Sequence, residues 1–130
     1  MAKKPKQEKL SALVTGAGSG IGRATAELLI EDGWQVALLD KNEAALADAK
    51  QRLGDKKTIQ YVTVDVTDES AVERALPEVS RIFGGLHCVL HSAGMGMNKG
   101  VFELTIADFR RVLELNLIAT FTVGRAAARI

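Results

Sequence analysis

The sequence lacks several features that would place it in a specialised class of proteins. Its single cysteine, Cys88, excludes an internal disulfide, and the apolar residues around it predict a buried core thiol. A net charge of +1 gives no reason to expect a nucleic-acid partner. No apolar run approaches the ~20 residues that span a bilayer, and the basic residues 1–9 precede no apolar signal region. We therefore expect a flexible basic tail and a cytoplasmic protein without a membrane partner.

Apolar runs alternate with helical periods along residues 10–130, which we predict to form one domain. Four strands are predicted, at residues 10–14, 35–39, 58–64 and 86–91. Four helices are predicted: residues 21–32, a second capped by Asn42, a third from Asp68 to Phe83, and a last from Thr105 with a capping box to Asp108. Each of the first three helices has an apolar face. The face is formed by Ile21, Ala24 and Leu28 in the first helix, by Leu46, Ala49 and Leu53 in the second, and by Val72, Leu76, Val79 and Phe83 in the third. Pro77 predicts a kink or a break in the third helix.

Connections this short imply parallel strands joined by right-handed crossovers. We therefore expect a doubly wound α/β fold of three layers, with strand order 3-2-1-4. In that order the fourth strand lies at an edge, although its apolar sequence is typical of a strand covered on both faces.

A glycine-rich loop, TGAGSGIG at residues 15–22, lies between the first predicted strand and the first predicted helix. In this fold class a phosphate meets free backbone N–H groups and the positive end of a helix dipole there, and side chains would block its approach. The loop has no GK[ST] and is not a P-loop. It also fails the strict G-x-G-x-x-G pattern, because Ile21 stands at the last glycine position. The pattern that it does match is T-G-x-x-x-G-x-G, on Thr15, Gly16, Gly20 and Gly22.

This fingerprint resembles that of the short-chain dehydrogenase/reductase family, and further matches extend the resemblance over residues 10–130. The resemblance implies a Rossmann-type fold, a nicotinamide cofactor and a homo-oligomeric full-length protein. It implies cofactor contacts in the loop and at the ends of the next three strands, from Gly16, Gly18, Ser19, Gly20, Ile21, Gly22, Asp40, Asp65, Val66, Ser92, Ala93 and Gly94. No metal site is predicted.

Three of these positions have their own expected roles and alternatives. Asp40 is expected to accept hydrogen bonds from the ribose hydroxyls, the alternative being an ordinary loop carboxylate. Asp65 is expected near the adenine amino group, the alternative being a cap of the next turn. Asn116 matches an asparagine that supports the family's proton relay, the alternative being a structural hydrogen bond within its helix.

The segment His91-Ser-Ala-Gly94 departs from the family's usual Asn-Asn-Ala-Gly. Ser92 can still donate and accept one hydrogen bond. We expect His91 to be a satisfied buried imidazole rather than a catalytic group.

The family's catalytic Ser and Tyr-x-x-x-Lys are absent from this sequence. Its single tyrosine, Tyr61, is followed four residues later by Asp65. The simplest account is the N-terminal half of a longer dehydrogenase that transfers hydride between the nicotinamide and a carbonyl or alcohol substrate. NAD is expected rather than NADP, because Asp40 would repel a 2′-phosphate and Ser19 is not basic.

Two other functions compete with this interpretation. One is a non-catalytic dinucleotide-binding fragment or interaction module. The other is an extended-type nucleotide-sugar epimerase, which expects T-G-x-x-G-x-x-G. Ser19 at its middle glycine argues against that second alternative.

Overall fold

The computed structural model describes residues 9–130, so the predicted basic tail falls almost wholly outside the described residues. Four parallel strands form one sheet in the order β3-β2-β1-β4. Their bounds are β1 Ser11–Thr15, β2 Gln35–Asp40, β3 Ile59–Thr63 and β4 Cys88–His91. The predicted strand order is confirmed.

Five α-helices follow the strands: α1 Gly20–Glu31, α2 Glu43–Leu53, α3 Glu69–Phe83, α4 Ile106–Leu113 and α5 Ala119–Ala127. A π-helical segment, Glu114–Ile118, joins the last two helices. The predicted caps are present. Asn42 accepts from the Ala45 N–H, Asp68 accepts from the Ala71 N–H, and Thr105 and Asp108 form a reciprocal capping box.

Two apolar clusters lie on opposite faces of the sheet, which gives the predicted three layers. On one face Leu13 and Leu39 pack with side chains of α3 and α5, including Leu76 and Val123. On the other face the packed side chains come from β1, β2, α1 and α2, including Val14, Leu38, Ala26 and Leu46. Every residue of β1 is buried, because this strand is covered by a neighbour on each side and by helices on both faces.

The predicted apolar face of α1 is exposed rather than packed. Ile21 is 78% exposed and Leu28 62% exposed, whereas Gly22 and Ala26 are buried. A Cβ at Gly22 would overlap the Gly16 carbonyl oxygen, so the backbones of loop and helix are in direct contact there. That contact turns the Gly22 side of α1 inward and leaves Ile21 and Leu28 in solvent.

Pro77 does not break α3, which runs without interruption from Glu69 to Phe83. Pro77 is exposed, so the carbonyl deprived of its N–H partner is on the solvent side of the helix. Buried Val72, Leu76 and Val79 hold the helix against the sheet on both sides of the proline.

The prediction of a buried thiol at Cys88 is wrong, because this residue is partly exposed. All four residues of β4 are partly exposed. The cause is their position in the sheet: β4 pairs with β1 on one side and has no strand partner on its other side among residues 9–130.

Candidate functional site

A cleft of about 480 Å³ lies at the carboxyl ends of the four strands. Its volume is within the range of small-molecule sites. Ten of the twelve predicted cofactor residues line it. The lining residues are Gly16, Ser19, Gly20, Ile21, Asp40, Lys41, Val64, Asp65, Val66, Ser92, Ala93, Gly94 and Leu115. The two predicted residues that do not line the cleft, Gly18 and Gly22, lie behind it and pack against neighbouring backbone and side chains.

The glycine loop (residues 15–22) is in close contact with the segment after β4. Gly16 has φ +64°, and a Cβ there would lie 2.8 Å from both the N and Cα atoms of Ala93. The loop leads directly into α1, whose N-cap residue, Ser19, makes no side-chain capping bond. Backbone N–H groups at the start of α1 therefore remain available to an anion in the cleft.

Asp40 is held by two backbone groups at the mouth of the cleft. Its Oδ2 accepts from the Gly18 N–H at 2.9 Å, and its Oδ1 accepts from the Asn42 N–H at 2.9 Å. A Cβ at Gly18 would lie 2.8 Å from Oδ2, so this position must be glycine for the carboxylate to approach. Each oxygen keeps a second lone pair, with which it can accept a hydrogen bond from a hydroxyl group.

The basic residues near Asp40 have different surroundings. Lys41 lines the cleft. Arg23 is directed at α2, with its Nη2 2.9 Å from Asp48 Oδ2 and its Nε 3.2 Å from Glu27 Oε1. The hydrogen bond that Arg23 donates to Asp48 raises the pKa of the Arg23 guanidinium further above its usual value. The sequence gives no signal of this difference, because the pairing of Arg23 with Asp48 joins residues 25 positions apart.

Asp65 both lines the cleft and caps a turn. Its Oδ1 accepts from the Thr67 N–H at 3.0 Å and from the Thr67 hydroxyl at 2.7 Å. These bonds, the backbone one first, lower the pKa of Asp65, and the positive charge of Lys41 lowers it further. The capping alternative is thus present in the structure, while Oδ2 is not used in the turn.

His91 faces the first residue of the glycine loop across the sheet. Its Nδ1 lies 2.9 Å from Thr15 Oγ1, and the same oxygen accepts from the Ala93 N–H at 3.2 Å. The other ring nitrogen, Nε2, is buried and has no hydrogen-bond partner in the described part of the chain. The prediction of a satisfied imidazole is therefore correct for one nitrogen only. Burial lowers the pKa of His91.

Asn116 lies in the π-helical segment and holds the backbone of the loop after β4. Its Oδ1 accepts from the Met95 N–H at 2.8 Å, and its Nδ2 donates to the Met95 carbonyl at 2.8 Å. Both polar atoms of the amide are thus used by the backbone of one residue, Met95. The π-helical segment itself was not predicted, because its apolar pattern does not differ from that of an α-helix.

The residues present fit a dinucleotide. The absence of a side chain at Gly16 lets the loop pack directly on the backbone of Ala93, and both residues line the cleft. The helix N-terminus suits a pyrophosphate and the fixed carboxylate of Asp40 suits a ribose.

Among residues 9–130 there is no group of three or more His, Cys, Asp or Glu side chains that could hold a metal ion. In the same range no helix is long and apolar enough to cross a membrane.

Comparison with known proteins agrees with this geometry. The family model for short chain dehydrogenases matches residues 10–130. The chain belongs to the short-chain dehydrogenase/reductase family. Members of this family are oxidoreductases that use a nicotinamide cofactor.

Curated relatives and solved structures resemble the chain over about half of their own length. A short-chain dehydrogenase/reductase of Armillaria gallica is 41% identical over 91% of this chain and 46% of its own. The 3-hydroxyacyl-CoA dehydrogenase type-2 of Drosophila melanogaster is 39% identical over 90% of this chain and 48% of its own. A short-chain type dehydrogenase/reductase structure from Mycobacterium ulcerans has a TM-score of 0.86 at 35% identity, covering 94% of this chain and 46% of its own.

Proposed function

We propose that this chain is the cofactor-binding half of an NAD-dependent oxidoreductase that acts on a carbonyl or alcohol substrate. The observation that carries the proposal is the carboxylate of Asp40, held by two backbone N–H groups at the mouth of a glycine-lined cleft. When bound, the nicotinamide supplies the hydride donor or acceptor.

The adenosine half of the cofactor is proposed to lie between Asp40 and Asp65. Asp40 accepts hydrogen bonds from the ribose hydroxyls, and Asp65 faces the adenine amino group with the oxygen that Thr67 does not use. The N–H groups of Ser19, Gly20 and Ile21 bind the pyrophosphate at the start of α1. Ser92, Ala93 and Gly94 border the nicotinamide half of the cleft.

The preference for NAD over NADP rests on the charges around Asp40. A 2′-phosphate would place negative charge beside a carboxylate that two hydrogen bonds hold in position. Arg23 is committed to Asp48 and Glu27 and points away from the cleft, so Lys41 is the one nearby cation that lines it. The cleft is lined by two carboxylates, Asp40 and Asp65, and one ammonium, Lys41, which leaves no net positive site for a phosphate dianion.

Calorimetric titration of the chain with NAD and with NADP tests the proposal. We expect NAD to bind more tightly by about 1–3 kcal/mol, the range for a hydrogen bond to a charged group. Asp40→Ala should weaken the binding of NAD and remove the preference for NAD over NADP. Asp55→Ala is the matched control, because it removes a carboxylate whose partner is the exposed Lys50, away from the cleft. Tighter binding of NADP, or an unchanged preference in Asp40→Ala, would contradict the assignment.

The full-length enzyme is further proposed to be a homo-oligomer. The supporting observation is a row of exposed apolar side chains at intervals of four residues along α4, the π-helical segment and α5: Phe109, Leu113, Leu117 and Phe121. Such a contiguous apolar surface is typical of an interface.

A further inference from the structure

Thr15 and His91 form the centre of a hydrogen-bonded chain beneath the glycine loop. The Ala93 N–H can only donate, so the Thr15 hydroxyl oxygen accepts from it. The hydroxyl then has a single proton to give, and the acceptor within reach is His91 Nδ1 at 2.9 Å. When the neutral ring carries its proton on Nε2, the chain runs from the Ala93 N–H through the Thr15 hydroxyl to Nδ1. A ring protonated on Nδ1 would instead donate to the second lone pair of Thr15 Oγ1.

This chain supports the floor of the cleft. Thr15 is completely buried and immediately precedes Gly16. Gly16 is packed so closely on Ala93 that a Cβ would lie 2.8 Å from two of its backbone atoms. Because Gly16 and Ala93 both line the cleft, the bond from the Ala93 N–H to the Thr15 hydroxyl oxygen joins two walls of the cleft.

The surroundings of His91 disfavour a charged ring. β1, on which the ring lies, has no charged residue. Helix α5, which packs on β4, contributes one charged side chain, Arg125, which has the same sign and is bound to Glu69 and Glu73. Within β4 the other titratable side chain is Cys88. Burial accordingly lowers the pKa of His91, with no neighbouring charge contributing.

We propose that His91 is a positioning residue for the cofactor: its neutral imidazole orients the Thr15 hydroxyl and thereby holds Ala93 and Gly16 in the geometry that binds NAD. The inference rests on the proposed function. A proton on Nδ1 reverses the bond, because Nδ1 then donates to Thr15 Oγ1, and it leaves the Thr15 hydroxyl proton without this acceptor. NAD therefore binds the neutral form better, and its affinity falls as the pH falls through the pKa of His91, which burial holds below the ordinary imidazole value.

The test is the dissociation constant of NAD as a function of pH, measured by calorimetry on the wild-type chain and three variants. In the wild type we expect binding about threefold to tenfold weaker at about pH 5.5 than at about pH 7.5, as for the loss of one hydrogen bond. His91→Asn supplies an amide oxygen that accepts from Thr15 without titrating, and it should bind at neutral pH with a flat profile. Thr15→Val keeps the shape without the hydroxyl and should bind weakly and without pH dependence.

His87→Asn is the matched control, because His87 lies at the opposite end of the sheet, where its Nδ1 contacts Ser11. This variant should keep the wild-type profile. A wild-type slope that persists in His91→Asn or in Thr15→Val, or a flat wild-type profile with measurable binding, overturns this inference alone. Absence of NAD binding at every pH overturns the proposed function and this inference with it.

Discussion

At the scale of single residues, two glycines in helices have opposite expected responses to a methyl group. A Cβ at Gly22 would overlap the Gly16 carbonyl oxygen, whereas a Cβ at Gly124 would meet no atom within 4 Å. Gly22→Ala should therefore destabilise the fold by about 1–3 kcal/mol through overpacking. Gly124→Ala should stabilise it by about 0.5–1 kcal/mol, because alanine is the better helix former.

Urea unfolding of the two variants measures this difference. Far-ultraviolet circular dichroism shows first that both variants keep their helices. Equal midpoints for the two variants would contradict the close contact between the glycine loop and α1.

At the scale of elements, the start of α4 has an acid-resistant carboxylate. Lys99 Nζ lies 2.7 Å from Asp108 Oδ2, and the Thr105 N–H donates to the same oxygen at 3.2 Å. The ion pair with Lys99 first, and the capping bonds of Thr105 second, lower the pKa of Asp108 to about 2. Since the folded pKa lies below the unfolded one, the stabilisation is present above the unfolded pKa and is lost as the pH falls through about 2.

Carboxyl titration by nuclear magnetic resonance checks this prediction directly. We expect Lys99→Met to raise the midpoint of Asp108 towards its ordinary value, since it removes the largest cause. Lys56→Met, which removes an exposed lysine elsewhere, should leave the midpoint in place. An unchanged Asp108 midpoint in Lys99→Met would show that the ion pair does not form in solution.

The π-helical segment has its own measurable consequence. Asn116 holds both backbone groups of Met95, so Asn116→Ala should expose the Met95 amide and speed its hydrogen exchange about fivefold to tenfold, as for a bond of about 1 kcal/mol. Asn116→Asp keeps the acceptor but loses the donor, so the exchange rate of its Met95 amide should lie between those of the wild type and Asn116→Ala. Identical exchange of Met95 in all three chains would mean that the amide does not order this loop.

At the scale of the whole molecule, the sequence of 130 residues lacks the tyrosine and lysine pair that the family resemblance implies as the acid/base. Its one tyrosine, Tyr61, donates to the Gly54 carbonyl at 2.9 Å, and burial raises the pKa of its hydroxyl. No Tyr-x-x-x-Lys occurs in the sequence. Proton transfer by a positioned group contributes roughly 10²–10⁴-fold to such a reaction.

We therefore expect no reduction of ketones or aldehydes above background when NADH absorbance is followed with this chain. The control is the same chain titrated with NAD, which should still bind. Turnover that survives Asn116→Ala and disappears with His91→Ala, although His91→Ala still binds NAD, would contradict both the absence of an acid/base and the positioning role of His91.

The sequence by itself determined the type and order of the elements, the strand order and the place of the cleft. These depend on local signals: apolar periodicity, caps such as Asn42 and Asp68, and the handedness of short crossovers. The glycine loop belongs with them, because its position between a strand and a helix is read directly along the chain.

Only the tertiary structure decided which groups meet. Four contacts are examples: Gly22 on Gly16, which sets the rotation of α1, Arg23 with Asp48, Thr15 with His91, and Asn116 with Met95. The two residues of each contact are separated along the chain by between 6 positions, for Gly16 and Gly22, and 76 positions, for Thr15 and His91. The apolar pattern of residues 86–91 predicted a buried Cys88, although the predicted strand order already placed this strand at the sheet edge where Cys88 is partly exposed. Local propensity contains no information about such contacts, because they form only when separate elements pack and their backbones come within hydrogen-bond distance.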